Sequence, residues 1–367
     1  MEVAICGGGN IGHSLASYLG YKGHKVNILT SKPEKWAKVL TGIIDDKREI
    51  KSELSIISSD PSEIIPRSDI VFITVPSYAK TIIFKRIVPF IENKPVIFVP
   101  GSGGIEFAIH SNFKQFKMQI FGLQRVPFIS RTEVYGKVVR YGGAKKKLFL
   151  SNIALKENEQ IRLLIEDLFD IPTEYLQHYL EITLVPSNPL LHPARLYEID
   201  TILKDQKNPI RKIYFYSQWG DLASEILVKM NSELQRLSKS LNLNLPDILN
   251  YYEVSNVKEL TKKIRSIKSW SQILAPLKRT SDGIIVLDKS SRYFTEDIPY
   301  GLAIIKAIAE IFKINTPTID SILEWAQNIM NKEYIIRGTL NGGDVYELNI
   351  PQNYGIKTEK DLFKVYS

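Results

Sequence analysis

Cysteine is almost absent from this chain of 367 residues: the only one is Cys6, so no internal disulfide can form and a reducing cytoplasm is the expected setting. No apolar run approaches the roughly 20 residues that a bilayer-spanning helix needs, and nothing near residue 1 reads as a secretory signal. Low-complexity tracts and internal repeats are also missing. Charge is not concentrated either. The net charge is +8, yet the basic residues are scattered and Lys145–Lys147 is the only tight run, which we read as a solvated loop after a hairpin turn at Tyr141-Gly142-Gly143. These absences argue against a membrane protein and a nucleic-acid binder, and no metal site is expected. What remains is an ordinary globular composition, 44% hydrophobic and 24% charged, in a chain long enough for two domains.

Glycine is used with purpose at the start. Residues 2–12 read Glu-Val-Ala-Ile-Cys-Gly-Gly-Gly-Asn-Ile-Gly, an apolar strand candidate followed by Gly-x-Gly-x-x-Gly and a helical stretch. The dinucleotide-binding turn needs Gly7 for its tightness, Gly9 for close approach of a pyrophosphate, and Gly12 for helix packing, with the helix N-terminus facing the phosphate charge. Asn10 and Ile11 lie inside the same turn. Further strand candidates at 26–30, 70–76, 95–100 and 118–123 alternate with amphipathic stretches, as a parallel α/β sheet requires. Their terminal loops, including Val75-Pro76-Ser77 and Gln124, should line the cofactor site. A two-stranded addition at 134–141 and 148–151 and a helix at 157–169 complete the expected dinucleotide-binding domain, residues 1–182.

The second strand candidate ends in Leu-Thr30-Ser31-Lys32-Pro-Glu-Lys35. An acid that accepts bonds from a ribose 2′-hydroxyl is expected there for NAD, whereas Thr30, Ser31, Lys32 and Lys35 suit a 2′-phosphate. NADP(H) is therefore favoured, with NAD(H) possible.

Residues 183–367 change texture. Val185-Pro-Ser-Asn188-Pro-Leu-Leu-His192-Pro193 carries three prolines in nine residues and predicts an irregular connection at the domain junction. Helical periodicity follows at 194–203, 224–241, 257–266, 302–312 and 319–330, then a loop-rich tail. Of the five histidines, His192 is placed where a near-neutral imidazole can move a proton, although a structural loop histidine reads the same way. Arg292-Tyr-Phe-Thr-Glu-Asp297-Ile-Pro-Tyr-Gly301 has two readings. Asp297 either caps the following helix or orients an imidazole, and in the second case Arg292 binds a carboxylate. The aromatics Tyr214, Trp219 and Tyr252 are core or pocket candidates.

Taken together, Asn188-Pro189-x-x-His192-Pro193, Arg292-Tyr293-x-x-Glu296-Asp297-x-Pro299-x-Gly301-Leu302, Thr316-Pro317-Thr318-Ile319-Asp320 and Ile350-Pro351-Gln352-Asn353-Tyr354-Gly355, behind an amino-terminal Gly-x-Gly-x-x-Gly, resemble the octopine/nopaline (opine) dehydrogenase family. The resemblance implies an α/β Rossmann domain followed by a mainly α-helical domain. It also implies reductive condensation of an α-keto acid with an amino acid, His192, Asp297 and Arg292 as the catalytic group, and Gln124, Asn188 and Arg292 near substrate. A monomer or homodimer is expected. Competing readings are a simple keto-acid reductase of the ketopantoate or glycerol-phosphate type, expected to rely on a lysine in the helical domain, and a non-catalytic NADPH sensor.

Overall fold

A computed structural model describes residues 1–45, 48–116, 118–154, 157–205 and 212–367. The chain divides into two compact units, Met1–Thr183 with Phe363–Ser367, and Leu184–Leu362. The last five residues return to the first unit because Tyr366 is buried there, its ring edge-on to His178.

The first unit is built on one eleven-stranded sheet. In chain order the strands are β1 (Glu2–Cys6), β2 (Lys25–Leu29), β3 (Val39–Asp45), β4 (Arg48–Ser58), β5 (Ile70–Ile73), β6 (Pro95–Phe98), β7 (Gln119–Leu123), β8 (Phe128–Val134), β9 (Val138–Ala144), β10 (Leu148–Asn152) and β11 (Thr173–Tyr175). They lie in the order β11-β10-β7-β6-β5-β1-β2-β4-β3-β9-β8. The central strands β1, β2, β5 and β6 pair in parallel. Their side chains are buried on both faces, so they read as continuous apolar runs. Val3, Ile5, Val26, Ile28, Ile70 and Phe72 are fully enclosed, each contributing roughly 1.5–3 kcal/mol of burial. From β1 the chain winds one way through β2 and the other through β5, and the switch point between them opens a crevice at the carboxyl ends of the strands.

Three expectations fail in this unit, each for a local reason. Strands β3 and β4 were not foreseen. They form an antiparallel pair in which Ile50, Ser52 and Leu54 face inward while Glu49, Lys51 and Glu53 face water, and that density of charge hides a period-two strand. The turn expected at Gly142-Gly143 is instead a bulge: Ile129 pairs with Gly143 and Ser130 with Tyr141, leaving Gly142 over, and Gly143 takes φ +137°. The hairpin turn between β8 and β9 falls at Tyr135-Gly136, inside the segment read as strand 134–141, with Gly136 at φ +70°. Consequently there is no two-stranded addition. Strands β8 and β9 extend one edge of the sheet beside β3, and β10 lies at the other end between β7 and β11.

The second unit is helical, with main helices Asn188–Asp205, Asp221–Ser240, Val257–Ser266, Ala303–Ile311 and Pro317–Met330. Here the proline-rich segment overturns the expected irregular connection. Pro189 stands in the first turn of Asn188–Asp205, where a missing N–H costs nothing, and the helix continues through Pro193. His192 therefore projects from a helix.

Candidate active site

The glycine turn meets the demands of a dinucleotide. Gly7 holds φ +129°, and a Cβ there would stand 2.8 Å from the Thr74 hydroxyl. A Cβ on Gly12 would fall 1.9 Å from the Gly7 carbonyl, whereas one on Gly9 would meet nothing within 4 Å. Two glycines are thus required by packing, and the third leaves open space in front of the helix beginning at Asn10, where backbone N–H groups and the helix dipole favour an anion. Cys6, at the end of β1, is fully buried, and burial pushes its thiol up to about 12, so it is an inert wall.

Beside the turn lies a cavity of about 370 Å³ lined by Gly7, Thr30, Ser31, Lys32 and Val75 among the expected residues. Gly8 joins them from the glycine turn itself, and Arg86 and Tyr135 arrive unforeseen on helix Ser77–Ile87 and the β8–β9 turn. Asn10 and Ile11 open the first helix. Asn10 accepts from the Thr132 amide at 2.9 Å through its side chain, which spends it on β8. Pro76 precedes helix Ser77–Ile87 and Ser77 begins it. Lys35 ends a short 3-10 turn, and its carbonyl lies under Gly136 rather than its ammonium in the cavity wall. Gln124, just after β7, donates to the Glu181 carbonyl at 3.0 Å.

In the helical unit His192 and Asp297, 105 positions apart, meet. Nδ1 of His192 lies 2.7 Å from Asp297 Oδ2, and Nε2 lies 2.8 Å from the Tyr216 hydroxyl. All three side chains are buried. Tyr293 covers the imidazole at 4.4 Å between ring centroids, and Phe215 stacks on Tyr293 at 4.8 Å. Burial pushes the Tyr216 phenol far up, so the hydroxyl stays protonated; with Nδ1 facing the Asp297 carboxylate, Nε2 is left to accept from it. Nδ1 then carries the ring proton toward Asp297, which fixes the tautomer.

The backbone explains why the two motifs converge. Asp297 makes no side-chain cap bond; a single π turn, Ile298–Leu302, follows it, with the Leu302 amide donating to the Asp297 carbonyl at 2.9 Å. Such turns mark places where helical register is displaced to aim a side chain. Gly301 within that turn packs on the first turn of the His192 helix, where an added Cβ would stand 2.7 Å from the Pro189 ring. The Asn-Pro-x-x-His and Asp-x-Pro-x-Gly motifs are two halves of one contact. Arg292 is exposed at the start of Arg292–Thr295, its carbonyl accepting from the Glu296 amide at 2.9 Å, one turn before Asp297. Asn188 is exposed at the first residue of its helix, four residues before His192.

Two supporting features went unforeseen. Tyr216 lies in a short turn with no periodicity to announce it. Arg195, wholly buried, donates to the Phe215 carbonyl at 2.8 Å and pairs with Glu198, which also accepts from the Gly220 amide at 3.0 Å. That ion pair anchors the turn bearing Phe215 and Tyr216. The aromatic candidates divide: Trp219 is fully buried and Tyr252 nearly so, while Tyr214 is half-buried beneath the Lys212 ammonium.

Residues 175–330 match the family model of the NAD/NADP octopine/nopaline dehydrogenase alpha-helical domain, and residues 2–130 that of the NAD-dependent glycerol-3-phosphate dehydrogenase N-terminus. The resemblance to the octopine/nopaline dehydrogenase family is thereby borne out. It is 28% identical to octopine dehydrogenase of Mizuhopecten yessoensis, over 98% of this chain and 97% of that one. It is 27% identical to tauropine dehydrogenase of Arabella iricolor, over 97% and 98%. A solved octopine dehydrogenase with NADH and L-arginine superposes with a TM-score of 0.86 at 26% identity, over 99% of this chain and 97% of that one. This opine-dehydrogenase-like chain is an NAD(P)-dependent oxidoreductase with a Rossmann unit and a helical unit. Among its described residues no helix is long and apolar enough to cross a membrane.

Proposed function

We propose that this oxidoreductase joins an α-keto acid to the amino group of an amino acid by reductive condensation, with His192 as its acid/base group. The observation that carries the reading is the His192 imidazole held at both nitrogens, by a carboxylate at 2.7 Å and a phenol at 2.8 Å. An amino acid must lose a proton from its ammonium before the nitrogen can attack a keto carbon, and the carbonyl oxygen must be protonated before it leaves as water. Nε2 of His192 takes the first proton and returns it to the departing oxygen. Asp297 holds the imidazole in the Nδ1–H form and stabilises the imidazolium that forms. The Tyr216 hydroxyl keeps Nε2 satisfied until substrate replaces it. Arg292, exposed and one turn away, pairs with a substrate carboxylate, and Asn188 adds a polar contact. Bound nicotinamide dinucleotide supplies the hydride to the imine carbon.

On the cofactor side, Ser31 and Lys32 follow β2 where no acid stands, and Arg86 faces the same cavity while donating to the Ser59 carbonyl at 2.6 Å. A hydroxyl, an ammonium and a guanidinium favour the 2′-phosphate of NADP(H); Lys35 adds charge from outside the cavity lining.

The test is oxidation of NADPH and NADH across a grid of keto acids and L-amino acids, each also supplied alone. Turnover requiring both partners and lost in His192→Ala supports the condensation. Turnover with a keto acid alone assigns a simple keto-acid reductase, and binding without turnover on any pair favours a substrate outside the grid or a sensor.

A further inference from the structure

Three consecutive glycines are one more than the dinucleotide fingerprint asks for, since its second position is free. Gly8 occupies that position, and its own φ does not require glycine. A Cβ built on Gly8 would stand 2.5 Å from the Tyr135 hydroxyl and 3.1 Å from the Thr30 hydroxyl. The space that a side chain would fill is taken by a phenol arriving from the β8–β9 turn, more than a hundred residues along the chain.

Tyr135 is held there by His13. The imidazole is completely buried and packs between two aromatic rings, stacked on Trp36 at 4.2 Å and edge-on to Tyr135 at 5.2 Å. The Gly136 amide donates to its Nε2 at 2.7 Å, which requires that Nδ1 carry the proton and donate to the Gly9 carbonyl at 2.9 Å. One side chain thus ties the residue after Tyr135 to the last glycine before the first helix. Gly136 seals the arrangement from below, since a Cβ there would meet the Lys35 carbonyl at 2.2 Å. The Tyr135 ring remains 38% exposed and forms part of the cavity wall, with its hydroxyl 3.4 Å from that of Thr30.

We propose that Tyr135 is a cofactor-binding residue, its hydroxyl donating to the diphosphate–ribose linkage of the dinucleotide and its ring walling the adenosine side, with His13 as the residue that positions it. The assignment rests on the dinucleotide reading of the cavity. The hydroxyl stands between the glycine turn, where the diphosphate binds, and Thr30 at the end of β2, where the adenosine ribose binds. A phenol held in place before the ligand arrives loses little freedom on binding. Burial lowers the His13 pKa, so the neutral ring that accepts from Gly136 persists at neutral pH.

The experiment measures dissociation constants of ADP-ribose, NADPH and NADH for the whole protein by calorimetry, together with kcat at saturating cofactor. Tyr135→Ala is expected to weaken ADP-ribose and both dinucleotides by about tenfold or more, and Tyr135→Phe by about threefold to tenfold. His13→Gln, which keeps an acceptor near the Nε2 position, is expected to retain affinity, whereas His13→Phe, which keeps only the ring, follows Tyr135→Ala. Because His13 is buried, its variants are read alongside nitrogen NMR of the parent imidazole, expected to show the neutral Nδ1–H tautomer. Parent-like ADP-ribose affinity in Tyr135→Ala overturns the assignment while leaving the dinucleotide reading intact. Affinity lost equally in His13→Gln and His13→Phe, or the Nε2–H tautomer in the parent, removes His13 from its positioning role. A parent that binds none of the three ligands overturns the dinucleotide reading and this assignment with it.

Discussion

His13 and His192 are both buried and both engaged at each ring nitrogen, yet only one is built to exchange a proton. His13 meets a backbone carbonyl and a backbone amide, groups that neither take nor release protons in water, so its tautomer is locked and its ring serves as a fastener. His192 meets a carboxylate on one side and a side-chain hydroxyl on the other. The carboxylate stabilises the imidazolium, and the hydroxyl sits on a side chain that can turn aside and expose Nε2. Burial and full hydrogen bonding do not separate the two; the chemical nature of the partners does. Position in sequence singles out His192 but leaves it between a proton-moving and a structural role, and the partners at its two nitrogens are what separate it from His13.

The sharpest way to break this comparison is to remove each imidazole. His192→Ala should lower kcat/KM for the two-substrate reaction by about a thousandfold, the scale of a lost general acid/base, with cofactor affinity little changed. His13→Gln should leave kcat nearly at the parent value. Equal losses of kcat in the two variants would mean that partner chemistry does not separate them. Next in size is Asp297→Asn, which keeps a hydrogen bond but loses the negative charge that favours the imidazolium. A fall of about a hundredfold in kcat is expected.

A third buried group sharpens the contrast through stability. Glu106 is fully enclosed in the Rossmann unit, with Thr183 and Tyr366 donating to one oxygen and no partner for the other among the described residues. Burial pushes its carboxyl up to about 7 from 4.5, outweighing those bonds and the nearby Lys80 charge. Between those values the folded chain keeps a proton that the unfolded chain has released. Its contribution is therefore fully present below pH 4.5 and is lost as pH rises through 7. Glu106→Gln, permanently neutral, should flatten that slope and unfold at higher denaturant than the parent at pH 8, by on the order of 3 kcal/mol. Parallel pH–stability curves for parent and variant would show that Glu106 does not titrate in this window.

How much of this was legible in the sequence depends on distance along the chain. The glycine turn is contiguous and each glycine has its own steric reason, so Gly7, Gly9 and Gly12 could be read directly. His192 and Asp297 became a pair through two family motifs, and only the structure shows that Gly301 against Pro189 joins them. Tyr216, Tyr135 and Arg86 were not legible, because each reaches its site from a turn or helix whose local pattern describes packing alone. Strands β3 and β4 were hidden by charge on their exposed face, and the helix through Pro193 by a rule that holds for isolated helices and yields to tertiary packing.

The smallest expected effect tests the part of the comparison that rests on Tyr216. If its hydroxyl serves only to satisfy Nε2 before substrate binds, Tyr216→Phe should change kcat by less than about threefold and leave the pH profile in place, because a substrate ammonium takes over the same nitrogen. If instead the proton travels through the phenol, the variant should lose about as much as Asp297→Asn. The ring itself must stay in either case, since Tyr216 packs on Trp270 at 4.7 Å and stacks parallel to Trp219. Phenylalanine preserves both contacts and isolates the hydroxyl, so the variant asks whether His192 is served at Nε2 by a replaceable donor or by a relay.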